Sequence, residues 1–157
     1  MSTPGFKDIP QNINDLISAH IKLYLEDPAA AHMWDASALG IPHKVQTLLL
    51  TTIGRKSGKK RSVPLMYINN FDGKKTYYII GSKGGNEEDP IWMLNLQADP
   101  ICEIRVGAPP IKAEAKILTS EERAKVWPKI IEVNPTYAKY QARTEREIPV
   151  VELIPIV

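Results

Sequence analysis

The sequence predicts an α+β domain built on a small, mostly antiparallel, barrel-like sheet. Five or six short segments carry the pattern of strands, and helical periodicity is confined to the start, middle and late parts of the chain. The strand–helix–strand rhythm of a doubly wound nucleotide fold is missing. With 157 residues, 43% of them hydrophobic, the chain is long enough for one sizeable core. It reads as a single domain, 1–157, with a helical segment at 1–38 leading into the sheet at 39–157.

Residues 13–25 form the first element. Ile13, Leu16, Ile17, Ile21, Tyr24 and Leu25 recur at helical spacing, with Asn12 or Asn14 available as a cap. That stripe suits a core-facing helix; peripheral contact with a membrane, or with a substrate channel, is the alternative. Pro28 interrupts the pattern, and 29–34 reads as a short turn. Residues 45–53 read as a strand, because β-branched residues fit a pleated, buried surface. Residues 62–69 and 76–81 read as two more strands around the Phe71-Asp72-Gly73-Lys74 turn, and adjacency pairs them. Asp89 and Pro90 read as the cap and first position of a short helix through Leu96. Residues 101–106 and 111–118 alternate across the Gly107-Ala108-Pro109-Pro110 turn. Thr119-Ser120-Glu121-Glu122 opens a late helix with Trp127 and Ile130 or Ile131 on its face. The final run, 148–157, is a strand whose Pro149 and Pro155 suit a sheet edge or end.

The most informative stretch is the turn after the first long strand. Residues 54–61 carry Arg55, Lys56, Lys59, Lys60 and Arg61 around Ser57 and Gly58, with no acidic residue. Such cations repel one another unless they face water or an anion. Arginine forks match phosphate or carboxylate, and the glycines would let backbone N–H groups approach a bound oxyanion. A solvated, soluble hairpin is the plain alternative. The net charge is only +2, so the basicity is local; from 54 to 85 eight cations stand against Asp72 alone. This favours a compact polyanion over a nucleic-acid track, and no aromatic residues interleave with the turn to stack bases. The turn is not a P-loop: three residues separate its glycines, where that loop needs four, and strand-like sequence follows.

Other chemistries find little support. His20, His32 and His43 lack metal-ligand spacing, and Cys102, the one cysteine, forms no intrachain disulfide and reads as an inert thiol. With no signal-like segment or membrane-length apolar run, the expected setting is the cytoplasm.

Three segments together resemble one family. Leu-Leu-Leu-Thr-Thr-Ile-Gly-Arg-Lys-Ser-Gly-Lys-Lys-Arg-Ser-Val-Pro-Leu (48–65) is similar to the signature of deazaflavin-dependent nitroreductases. So are Gly-Ser-Lys-Gly-Gly (81–85) with Asp-Pro-Ile-Trp-Met-Leu-Asn-Leu-Gln-Ala-Asp-Pro (89–100), and the ending 134–150. The resemblance implies a split β-barrel of the FMN-binding type, and a deazaflavin, coenzyme F(420), that delivers hydride to a hydrophobic conjugated or nitro-bearing acceptor. It implies that Arg55, Lys56, Ser57, Gly58 and Arg61 hold the anionic linker and tail. Val63, Pro64 and Leu65 would run beside the ring system. Ser82, Lys83 and Gly85 would line the ring and phosphate, with Ser82 close enough to count as catalytic, and Asn95 would contact the linker. Tyr137 and Tyr140 would stand by the acceptor, where a phenol can hydrogen-bond an oxygen or donate a proton.

Two positions depart from the family's nitroreductase member, Met66 and Asn134, where it carries tyrosines; these changes count against activation of bicyclic nitro compounds specifically, not against coenzyme binding. FMN is the alternative coenzyme, one that would leave the Lys59-Lys60 end of the turn without a ligand. A non-catalytic carrier of fatty acid or other lipid is the alternative class.

Overall fold

A computed structural model describes residues 13–35, 44–69, 73–82 and 89–156. In chain order these form α1 (Ile13–Glu26), α2 (Pro28–His32), β1 (Met33–Asp35), β2 (Lys44–Ile53), β3 (Lys60–Met66), β4 (Ile68–Asn69) and β5 (Tyr77–Ile80). There follow α3 (Ile91–Ala98), β6 (Ile101–Arg105), β7 (Ile111–Ile117), α4 (Ser120–Val133), α5 (Thr136–Ala142) and β8 (Val150–Pro155). The strands make one curled antiparallel sheet in the order β1-β2-β6-β7-β8-β5-β4, with β3 also paired to β2. This is a split β-barrel with helices packed on it.

Leu48, Leu49 and Leu50 make β2 the spine. Leu48 and Leu50 join Ile79, Ile104, Val151 and Leu153 in the barrel core, closed at α3 by Trp92, Met93 and Leu96. Leu49 faces the other way, onto Tyr24 and Ala31 of α1 and α2. A strand covered on both faces reads as a continuous apolar run, not an alternation. On the outer side of β5 and β8, Tyr78, Ile80 and Val150 pack beneath Val126, Ile130 and Tyr137 of α4 and α5. A capping box starts α4 as expected: the Glu122 N–H donates to the Thr119 hydroxyl at 3.2 Å, and the Thr119 N–H to the Glu122 carboxylate at 3.0 Å.

The α1 stripe is core-facing, but its membership differs from the expectation. Tyr24 is fully buried and its hydroxyl donates to the Thr47 carbonyl, whereas Leu25 is 58% exposed. His20 takes the inward place. Its Nε2 donates to the Ala31 carbonyl at 2.9 Å, its ring stacks on Trp34, and burial lowers its pKa, which favours the neutral form. Among the described residues no helix is long and apolar enough to cross a membrane.

Three expectations need correction. The region read as one strand, 62–69, is two: β3 pairs with β2, and only Ile68 and Asn69 pair with β5. The tight 54–59 turn brings β2 and β3 together first, and Pro64 is tolerated because, among the described residues, β3 pairs with β2 alone. β8 is interior, between β7 and β5, not an edge. Its prolines bracket it, Pro149 before and Pro155 at its last position, so the buried Val150–Leu153 run keeps its ladder. Asp89 does not cap α3; Pro90 occupies that position without a side-chain bond, and Asp89 pairs with Arg146.

Candidate functional site

The basic turn is a self-closed hairpin connection. Gly58 adopts a φ of 70°, and Gly54 leaves room where a Cβ would meet the Ser57 hydroxyl at 2.6 Å. The Gly54 N–H donates to the Lys59 carbonyl and the Gly58 N–H to the Gly54 carbonyl, both at 2.8 Å, while the Lys59 N–H donates to Ser57 Oγ at 3.2 Å. The Arg55 N–H donates to Asn95 Oδ1 at 3.1 Å, and Asn95 Nδ2 donates in turn to Thr52 Oγ1 at 3.0 Å. These four backbone N–H groups are therefore engaged internally. These amides are not open to a ligand, contrary to the reading in which the glycines expose them; an anion here would meet the side chains instead.

The side chains suit that task. Arg55, Lys56, Lys59 and Arg61 are exposed and, among the described residues, carry no ion pair; Lys60 is held by Glu103 at 3.4 Å. Asn95, 2% exposed, stands behind the turn as a strut between Thr52 and Arg55. It is neither a helix-surface residue nor a cap. Val63 and Leu65 pack inward against the barrel core, and Pro64, alternating with them, faces the other side of β3.

A cleft of about 230 Å³ opens at the far end of β3. Met33, Val45, Met66, Ile68, Ile80 and Val133 give it an apolar wall, and Lys44, Gln46, Asn134 and Tyr137 supply polar groups. Asn134 arranges this side: its Oδ1 accepts from the Thr136 N–H at 3.2 Å to start α5, and its Nδ2 donates to Met66 Sδ at 3.7 Å. The two family departures thus sit side by side in the cleft. Tyr137 is 4% exposed, and burial, helped by neighbouring Tyr140, raises its pKa above the ordinary tyrosine value. It stays protonated at neutral pH and can donate. Tyr140 packs edge-on to Tyr137, with ring centroids 6.2 Å apart, and belongs to the α4–β5 cluster rather than the cleft lining.

Beyond Ile80 come Gly81 and Ser82, the latter only 8% exposed. Arg146 donates from Nη2 to the Gly81 and Ser82 carbonyls at 3.0 and 3.1 Å. Lys83 and Gly85 lie outside the described residues, as does His43. His32 Nε2 lies 2.6 Å from the Tyr67 hydroxyl. Cys102 is buried, and burial pushes its thiol up to about 12, so it is a poor nucleophile. Among the described residues no cluster could hold a metal ion.

Sequence reasoning missed Met33, Lys44, Gln46 and Val133 as cleft residues, because 29–34 reads as a turn and the start of β2 carries no signal of its own. It also missed Arg146, which stands in a Glu-Arg-Glu run indistinguishable from a solvated face.

A family model described as F(420)H(2)-dependent quinone reductase matches residues 30–155. An F(420)H(2)-dependent quinone reductase of Mycobacterium tuberculosis is 39% identical over 116 residues, covering 72% of this chain and 76% of that protein. A solved structure described as an F(420)-H2 dependent reductase, FDR-A, superposes with a TM-score of 0.61 at 39% identity, over 68% of this chain and 92% of that one. The heme storage protein HutZ from Vibrio cholerae shares the fold alone, with a TM-score of 0.52 at 17% identity over 71% and 82% of the two chains. The chain belongs to the F(420)H(2)-dependent quinone reductase family.

Proposed function

We propose that this chain is a deazaflavin-dependent oxidoreductase that reduces an apolar, conjugated acceptor of the quinone class. The carrying observation is the geometry of β3. Arg61 belongs to the cationic end and Met66 to the cleft, five residues on, or about 17 Å at the usual rise of a strand. That span suits an elongated ligand with an anionic tail and a flat apolar ring. The residues fit such a coenzyme: four exposed cations without ion pairs among the described residues at one end, and an apolar cleft with a buried phenol at the other.

When bound, the reduced deazaflavin supplies a hydride. Arg55, Lys56, Lys59 and Arg61 would hold phosphate and carboxylate by charge-assisted hydrogen bonds. The apolar wall would exclude water and keep the acceptor in contact with the donor ring. The Tyr137 hydroxyl would donate to the acceptor oxygen where negative charge develops as the quinone becomes a hydroquinone. Met66 and Asn134 supply no phenol where the nitroreductase member carries tyrosines, which counts against bicyclic nitro-bearing acceptors.

FMN is the second reading. Its single phosphate would fit part of the same cation set. Glu103 already pairs with Lys60, so FMN would leave only Lys59 at that end of the turn without a partner.

The test is anaerobic oxidation of the reduced deazaflavin with a soluble quinone. Steady turnover with the quinone, and at least about tenfold slower turnover with a nitroaromatic of similar size, is expected. Co-purified lipid with no turnover across a panel of acceptors would make the chain a carrier.

A further inference from the structure

We propose that Arg146 is a positioning residue that fixes Gly81 and Ser82, which follow the cleft residue Ile80, for coenzyme binding. The inference rests on the deazaflavin reading above. One guanidinium joins two stretches of chain: Nη2 donates to the carbonyls of Gly81 and Ser82, and Nη1 pairs with Asp89 Oδ1 at 2.9 Å. The pair is partly buried, with side-chain exposures of 17% and 31% for Arg146 and Asp89, so these contacts are less screened than a surface ion pair.

The backbone on either side is equally constrained. The Gly81 N–H donates to the Pro149 carbonyl at 3.0 Å, and a Cβ on Gly81 would meet Pro149 Cγ at 2.9 Å. Gly81 therefore packs closely against the segment that carries the arginine. That segment is rooted on α5, because Gln141 Nε2 donates to the Arg146 carbonyl at 2.8 Å. The same helix carries Tyr137. Arg146 thus ties Gly81 and Ser82 to the helix that presents the acceptor-side phenol.

A fork is required, not merely a charge. The acceptors are divided between the two terminal nitrogens, a spread that one lysine ammonium does not reproduce. A residue acting only through its positive charge would be replaced by lysine without loss.

Arg146→Gln and Arg146→Lys are both expected to weaken deazaflavin binding about tenfold, with the KM for a soluble quinone within about twofold of the parent. In the absence of coenzyme, the Gly81 amide should exchange with solvent about tenfold faster in both variants, while the Ile79 amide keeps its parent rate. Thr76→Val, which removes a 2.7 Å bond to Glu152 at the start of β5, serves as a control for general loss of stability and should bind coenzyme as the parent does. Parent-like affinity in Arg146→Lys, unchanged Gly81 exchange, or equal weakening in Thr76→Val would each overturn the inference. If the parent chain binds no deazaflavin, the coenzyme reading and this inference fall together. If the parent binds and the Arg146 variants match it, this inference fails alone.

Discussion

Replacing Arg55 and Arg61 together with alanine is expected to raise the deazaflavin Kd about 100-fold. Each charge-assisted contact to phosphate or carboxylate contributes roughly 1.5–3 kcal/mol, which is tenfold or more per residue. The stability cost should be small, because both side chains are exposed and neither carries an ion pair among the described residues. The hairpin itself is held by backbone bonds and by Asn95, all of which survive the substitutions. The parent affinity should also fall as salt rises, since exposed cations are screened over about 10 Å at 0.1 M ionic strength. Equal affinity of parent and double variant at low salt, measured by fluorescence titration, would place the anionic end of the coenzyme elsewhere.

Tyr137→Phe should lower kcat on the order of 100-fold with little change in coenzyme Kd. The substitution keeps the buried ring and its edge-on contact with Tyr140, and removes only the hydroxyl. Because burial raises the Tyr137 pKa above its ordinary value, the hydroxyl remains a proton-bearing donor throughout the neutral range. The rate should therefore show no Tyr137 titration between pH 6 and 9, a window below tyrosine's ordinary pKa of about 10. Single-turnover kinetics over that range checks both statements. A change in coenzyme Kd alone would move Tyr137 to the coenzyme pocket, and no change in either quantity would leave it with a packing role.

Local chemistry made much of the fold legible. The capping box at Thr119 and Glu122, the turn glycine at Gly58 and the doubly covered leucines of β2 each declare themselves within a few residues. Pairing partners do not. Nothing near Val150 tells that β7 and β5 flank it, and the bracketing prolines pointed towards an edge. Local pattern also fails at α5, where only the family resemblance picks out Tyr137 and Tyr140. Asn134 and Pro135 start α5, but Tyr137, Tyr140 and Gln141 make too short a helix to stand out by periodicity.

The candidate site divides along the same line. A dense cation cluster is visible in sequence because charge repulsion sends it to water or to an anion. Asn95 and Arg146 act by reaching 40 and about 60 residues along the chain, to Arg55 and to Gly81, Ser82 and Asp89. Such contacts follow from closure of the sheet and leave no local pattern.

The central claim is that one ligand spans the cationic turn and the apolar cleft. Its most direct test is titration of the purified chain, at low salt, with the deazaflavin and separately with FMN, followed by absorbance and fluorescence. The account predicts saturable 1:1 deazaflavin binding that weakens with salt, and FMN binding at least about tenfold weaker, because FMN lacks the anionic tail that the additional cations would hold. No deazaflavin binding, or FMN binding as tight as the deazaflavin, would contradict it.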